Sequence, residues 1–161
     1  MTDSVHDNWL YAQAVDHEQC RIILHTVFPH TDPPEYTDVL FKGVVVHHFE
    51  QQNVCGGAYP ANLLFDVSES DPMLILGQYS DLLARAKNYG WPISNYEGVE
   101  DLVSRLTDGP AKCFEVQGTC GLNGFVFAAS MELRRRPSRA QVIEAEQGGE
   151  WEPRTTQDLK S

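Results

Sequence analysis

The stretch Thr37-Asp38-Val39-Leu40-Phe41-Lys42-Gly43-Val44-Val45-Val46-His47-His48-Phe49-Glu50 decides how the rest of the chain is read. Val39, Phe41, Val45, His47 and Phe49 alternate with Leu40, Val44, Val46 and His48, so a strand here carries apolar side chains on both faces. A strand covered on both sides belongs in the middle of a sheet. Gly43 within it marks a bulge or a close backbone approach.

Working upstream, Gln19–Phe28 is rich in β-branched and apolar residues and stops at Pro29, which predicts a second strand. The link between the two, Pro29-His30-Thr31-Asp32-Pro33-Pro34-Glu35-Tyr36, reads as a loop because its three prolines lack the amide hydrogens that a ladder needs. Residues 1–18 mix Trp9, Leu10 and Tyr11 with Asp and Asn and read as a short helix or a packed arm.

Downstream, Gln51–Pro60 is a turn or loop containing Cys55-Gly56-Gly57, and Asn62–Val67 is a third strand, so the first half predicts an antiparallel meander. Asp71-Pro72 is a helix-start signal, since Asp can cap free amides and Pro is tolerated at the first helical position. Ile75, Leu76, Tyr79, Leu82, Leu83 and Ala86 follow at helical spacing, with Gly90 as a left-handed stop, predicting one helix across Asp71–Tyr89. Val99, Leu102, Val103 and Leu106 predict a shorter helix ended by Gly109-Pro110. Two strands, Lys112–Gly118 and Gly124–Leu133, close the pattern across the turn Thr119-Cys120-Gly121-Leu122-Asn123-Gly124.

The predicted order is βββααββ. It implies an α+β domain over residues 1–133, with an antiparallel sheet of about five strands and two helices packed on one face. Residues 134–161 read as a polar tail, with a short helix over 140–146 compatible with the pattern and mobility expected beyond Gln147.

At 161 residues, folding removes roughly 70% of the chain's accessible surface from water, enough for a core without a metal or disulfide staple. The formal charge is -11, and it is uneven: residues 1–133 carry 18 acidic and 6 basic side chains, whereas 134–161 carry 5 and 6. A body this acidic repels nucleic acid and anionic lipid, both polyanions, and favours a basic protein partner. The acidic start Met1–Asp7 and the lack of a long apolar run lead us to expect a cytoplasmic protein. The four cysteines, Cys20, Cys55, Cys113 and Cys120, are sparse and without close pairing, so we expect reduced thiols.

Few residues call for chemistry. His25, His30, His47 and His48 lie near one another in sequence, and His25 and His47 could meet across a strand pair. No His-Glu-x-x-His or similar spacing supports a metal, and we expect neither a metal nor another cofactor. Gln117-Gly118-Thr119-Cys120-Gly121 is similar to the nucleophile turn of chymotrypsin-like viral cysteine proteases. However, no histidine follows Cys120, and the helix at Asp71–Tyr89 does not suit an all-β double barrel, so a structural hairpin is the better reading. Phosphate-loop and Gly-x-Ser-x-Gly signatures are absent. Glu35, Asp38, Glu50 and Asp66 read mainly as solvated acids at loops and strand ends, and Arg134-Arg135-Arg136 as a solvated strand end or a partner anchor.

Tyr36-Thr37-Asp38-Val39, Val46-His47-His48-Phe49-Glu50 and Asn62-Leu63-Leu64-Phe65-Asp66-Val67 together resemble small bacterial cytoplasmic domains of immunity-protein type, over about residues 20–133. The resemblance implies a protein that neutralises a secreted toxin, and it implies no catalytic residue. The leading expectation is a non-enzymatic binding domain whose acidic face docks a basic protein. Asp32, Glu35 and Asp38 would supply the charge and Tyr36 an aromatic anchor, on a loop that loses little entropy on docking. The alternatives are a small-molecule-binding or hydrolytic domain with His25, His47 and Cys120 in a pocket over the sheet, and a homodimer formed through an exposed sheet edge.

Overall fold

The computed structural model describes residues 4–51 and 63–140, with Cys120 described by its backbone alone. The chain runs β1 (Trp9–Asp16), β2 (Arg21–Phe28), β3 (Glu35–Gln51) and β4 (Leu63–Glu69). Next come α1 (Pro72–Gln78), α2 (Ser80–Ala86), a 3-10 turn (Lys87–Tyr89) and α3 (Val99–Leu106), before β5 (Lys112–Cys120) and β6 (Leu122–Arg136). The class is α+β with antiparallel pairing throughout, as the sequence predicts.

Strand number and closure differ from the expectation. Six strands, ordered β1-β2-β3-β6-β5-β4, close into a barrel in place of an open sheet of about five. The additional strand is β1, where the sequence suggested a short helix or packed arm. Ala12, Gln13 and Ala14 blur its alternation, and a register shift between Leu10 and Ala12 breaks the two-residue period. Because β1 lies on the far side of β2, it can reach β4: Trp9 pairs with Leu63, Asp7 N–H donates to Leu64 O at 3.0 Å, and Leu64 N–H donates to Asn8 O at 2.9 Å. The closing seam is short: among the described residues Trp9 and Leu63 are its single ladder pair.

The helix expected across Asp71–Tyr89 is two helices. Asp71 caps the first, its Oδ1 accepting from Met73 N–H at 2.8 Å and more weakly from Leu74 N–H, with Pro72 in the first turn. Tyr79 then leaves helical geometry (φ -106°, ψ 23°), and its N–H donates to Leu76 O in a tightened last turn. The ring of Tyr79 packs against His48 and Phe125, so tertiary packing overrides the local helical pattern. Gly90, with φ +74°, is the left-handed stop that the sequence predicts.

Two cores result. Ile22, Leu24, Val39, Phe41, Leu64, Phe114 and Val126 fill the barrel, with the rings of Phe41 and Phe114 5.8 Å apart. A second cluster packs Ile75, Leu76, Leu83 and Leu102 of the helices on Val46, Cys113, Phe125 and Phe127, the outer faces of β3, β5 and β6. The alternation that marked β3 as buried on both faces is therefore explained by a barrel interior on one side and a helical cover on the other. Two glycines allow this geometry. Gly43 has φ +63° within β3, and at Gly124 a Cβ would stand 2.0 Å from His48 O, so the two strands approach where no side chain fits.

At the C-terminal side, β6 continues to Arg136, three residues past the expected boundary at Leu133. Expectations for Gln52–Pro60, including Cys55, and for the short helix and mobility beyond Ala140 lie outside the described residues. No helix among the described residues is long and apolar enough to cross a membrane.

Candidate functional site

The β2–β3 loop and the last residues of β6 meet at one end of the barrel. The ladder continues to the limit of both strands: Phe28 faces Glu35 across the loop, and Tyr36 faces Arg136 on the other side of β3. Between them opens a groove of about 490 Å³, lined by Thr31, Asp32, Pro33, Pro34, Glu35 and Tyr36 on one side and Arg135, Arg136 and Pro137 on the other. Asp32 and Glu35 are exposed at its rim and Tyr36 is half-buried.

The arginines are already engaged with acids. Arg136 Nη1 donates to Asp38 Oδ2 at 3.2 Å, reaching diagonally along the ladder from its place opposite Tyr36. Arg135 Nη1 lies 3.9 Å from Glu35 Oε2. Two polar atoms of the groove-lining residues, Thr31 Oγ1 and Arg136 Nε, are shielded from solvent and have no hydrogen-bond partner among the described residues.

Beside the groove, on the outer face of β2 and β3, His25 Nδ1–H donates to Asp38 Oδ1 at 2.7 Å, and both side chains are almost fully buried. Tyr11 stacks over His25 at 6.0 Å and meets Tyr36 edge-on at the same separation. The chain after β6 then crosses this face. Arg139 places its guanidinium 4.5 Å from the centre of the Tyr11 ring, and Ala140 N–H donates to Tyr11 Oη at 2.9 Å. Since β3 and β2 separate β6 from β1, the segment 137–140 spans three strand spacings, about 14 Å, which four extended residues just cover. It forms a strap over the His25–Asp38 pair. Burial, with the Asp38 charge adding to it, raises the Tyr11 phenol above its usual range, opposed by the Ala140 amide, Arg136 and Arg139.

The residues singled out from the sequence therefore separate. Asp32, Glu35 and Tyr36 gather on the groove. Asp38 does not join them on open surface: it alternates onto the outer face of β3 and is buried between His25 and Arg136. His25 and His47 do not meet. His47 lies nine residues farther along β3 from the strand partner of His25, up to about 30 Å of extended chain. It lines a separate groove of about 190 Å³ with Val15, His17, Cys20 and Val45. Burial there lowers the His47 pKa, and His17 and His48 add to the effect. The Cys120 side chain lies outside the described residues.

Cys20 is an exposed free thiol, whereas Cys113 is buried and its thiol is pushed up to about 12, by burial first and then by Glu115 and Asp71. His48 contacts Tyr79, Trp91 and Phe125 in an aromatic cluster that seats the helices on the barrel. No group of three or more His, Cys, Asp or Glu able to hold a metal occurs among the described residues. Missed from the sequence were Tyr11, Thr31 and Arg139, while Arg136 was read only within the Arg134-Arg135-Arg136 run, as a strand end or partner anchor. Their only signal was compositional, an aromatic in the arm and arginines after the last strand, and the strand order needed to bring them together was not legible.

The chain matches no family model. It matches no curated protein either.

Proposed function

We propose that this chain is a non-enzymatic protein-binding domain of the kind that neutralises a basic toxin domain, and that the groove between the β2–β3 loop and the end of β6 is the face it presents. The observation that carries the reading is the groove itself, with exposed Asp32 and Glu35 at its rim and Tyr36 in its wall. The barrel interior is filled by side chains, so recognition falls to the surface. The excess of acidic groups over residues 1–133 steers a basic partner towards that surface, and the aromatic ring in the groove wall supplies affinity. Asp38 serves this surface from beneath, by fixing Arg136 in the groove wall.

The test is capture of partners from native lysate by the tagged full chain, at low and high salt, with identification by mass spectrometry. A parallel capture uses the variant Asp32→Lys/Glu35→Lys. One stoichiometric basic partner is expected, weakened by salt because screening lengths fall below about 8 Å above physiological ionic strength, and lost from the variant. Equal capture by the variant would move the interface elsewhere.

A second reading, a small-molecule-binding or hydrolytic domain, draws on the buried His25–Asp38 pair, since a carboxylate on Nδ1 orients an imidazole as a base. It requires the strap to lift from Tyr11. If His25→Gln left unchanged any hydrolytic activity found for the full chain, this reading would fall.

A further inference from the structure

We infer that the Tyr11 ring is a seat for an arginine of the basic partner, and that Arg139 is its built-in occupant, which the partner's side chain displaces. The inference rests on the proposed reading of this end of the barrel as the face that meets a basic protein. It deepens that reading by naming the side chain received and what holds its seat closed. Arg139 Cζ lies 4.5 Å from the centre of the Tyr11 ring, within the range at which the negative face of an aromatic ring attracts a cation. A planar guanidinium also stacks on such a face, whereas an ammonium is a compact charge that holds its water. The chain's own side chain thus fits the seat to a guanidinium.

The occupant is held loosely. Arg134, Arg135 and Arg136 each face a carboxylate, at 3.9, 3.9 and 3.2 Å, but among the described residues no carboxylate stands within ion-pair distance of Arg139. Pro137, Ser138 and Arg139 are exposed, and the strap is fixed at Ala140, whose amide donates to Tyr11 Oη. An exposed cation–π contact favours the closed arrangement by a factor of only about two to five. The seat does not depend on the strap: Tyr11 stacks on buried His25, and Tyr36 meets it edge-on. Tyr36 also lines the groove, with exposed Asp32 and Glu35 on the same loop wall to draw a cation towards it. A basic segment in the groove therefore lies next to the ring that Arg139 covers.

The experiment is an NMR titration of the full chain with the capped peptide acetyl-Arg-Gly-Arg-amide, following the Tyr11 ring protons and the Arg139 Nε–H. The lysine and citrulline counterparts of the peptide are the controls, since citrulline keeps the shape of arginine without its charge. In the wild-type chain the arginine peptide is expected to move both signals. It should bind Arg139→Gln roughly three- to sixfold more tightly, because a seat open for a fraction f of the time binds with an apparent Kd of Kd/f. Tyr11→Phe keeps the ring and removes the acceptor of the Ala140 amide, so it should tighten the peptide as well. Both variants change few contacts, and neither empties a core position.

Equal affinity of the wild-type chain and Arg139→Gln for the arginine peptide would overturn the inference. So would a citrulline peptide that binds as tightly as the arginine peptide, or a Tyr11 ring that no probe moves in Arg139→Gln. A lysine peptide as tight as the arginine peptide would overturn the assignment to a guanidinium. Each of these outcomes would leave salt-sensitive capture through Asp32 and Glu35 standing as a separate result.

Discussion

Tyr11 and Ala140 are 129 residues apart in the chain, yet the Ala140 amide donates to the Tyr11 hydroxyl at 2.9 Å and ties the segment after β6 to the first strand. Tyr11→Phe removes this acceptor and keeps the ring under Arg139. Stability should fall by about 0.5–1.5 kcal/mol, and the Ala140 amide should lose hydrogen-exchange protection while amides of β3 and β6 keep theirs. Unchanged protection at Ala140 would show that the strap is held by other contacts.

Beneath the strap, Asp38 accepts from both His25 and Arg136 in a nearly dry setting. Removing the carboxylate by Asp38→Ala leaves both donors without their acceptor, and a loss of about 3–5 kcal/mol is expected from urea unfolding. Glu35→Ala removes only a long, exposed contact with Arg135 and should cost at most about 1 kcal/mol. Comparable losses in the two variants would mean that the buried network does not carry the weight assigned to it.

His47 gives stability a pH dependence of known sign. Burial depresses its pKa in the folded chain below the ordinary 6.5, so between the two values the unfolded chain binds more protons. Its contribution is therefore fully present above pH 6.5 and is lost as pH falls towards the folded value. Replacement by Phe should flatten that part of the stability–pH curve. A profile identical to wild type between pH 5 and 7 would contradict the assignment.

The two described thiols should respond differently to alkylation at pH 8. Cys20 is exposed on the β1–β2 turn, while the Cys113 thiol, pushed up to about 12 and buried under the helices, stays protonated and shielded. Peptide mapping should find label on Cys20 within minutes and on Cys113 only after unfolding. Early labelling of Cys113 would indicate that the helices lift from the barrel.

Gly124 sets the approach of β6 to β3. Gly124→Ala drives a Cβ against His48 O in a strand already at φ +158°, and the expected loss is of the order of 4 kcal/mol or more. Gly98→Ala, where a Cβ meets nothing within 4 Å and only the N-cap preference of α3 is lost, should cost no more than about 1 kcal/mol. A Gly124→Ala chain that unfolds at the wild-type urea concentration would show that the strands can part there at little cost.

Much of this architecture is written in local pattern. The apolar faces of β2 and β3, the Asp71-Pro72 start and the Gly90 stop are each read from a few adjacent residues, and the structure places them as expected. The failures share one cause. β1 is too small and polar in its middle to announce itself, and α1 breaks from α2 because the Tyr79 ring is drawn to Phe125, a residue of β6. The site follows the same rule: Asp32, Glu35 and Tyr36 were legible as a loop, whereas the depth of Asp38 depends on Arg136, which lies beside it only once β6 pairs with β3. Sequence distance hid what strand order supplies.

That pairing also bears on how the chain is made. β3 and β6 join residues about 70 to 100 positions apart, with β4, the helices and β5 between them. During synthesis at about 5–20 residues per second, the β1–β2–β3 meander emerges with one long side of β3 unmatched for several seconds. The nascent half-barrel would hold Val39 and Phe41 in the open for that interval, so the ribosome-bound chain, more than the finished protein, is the form that needs a chaperone's protection.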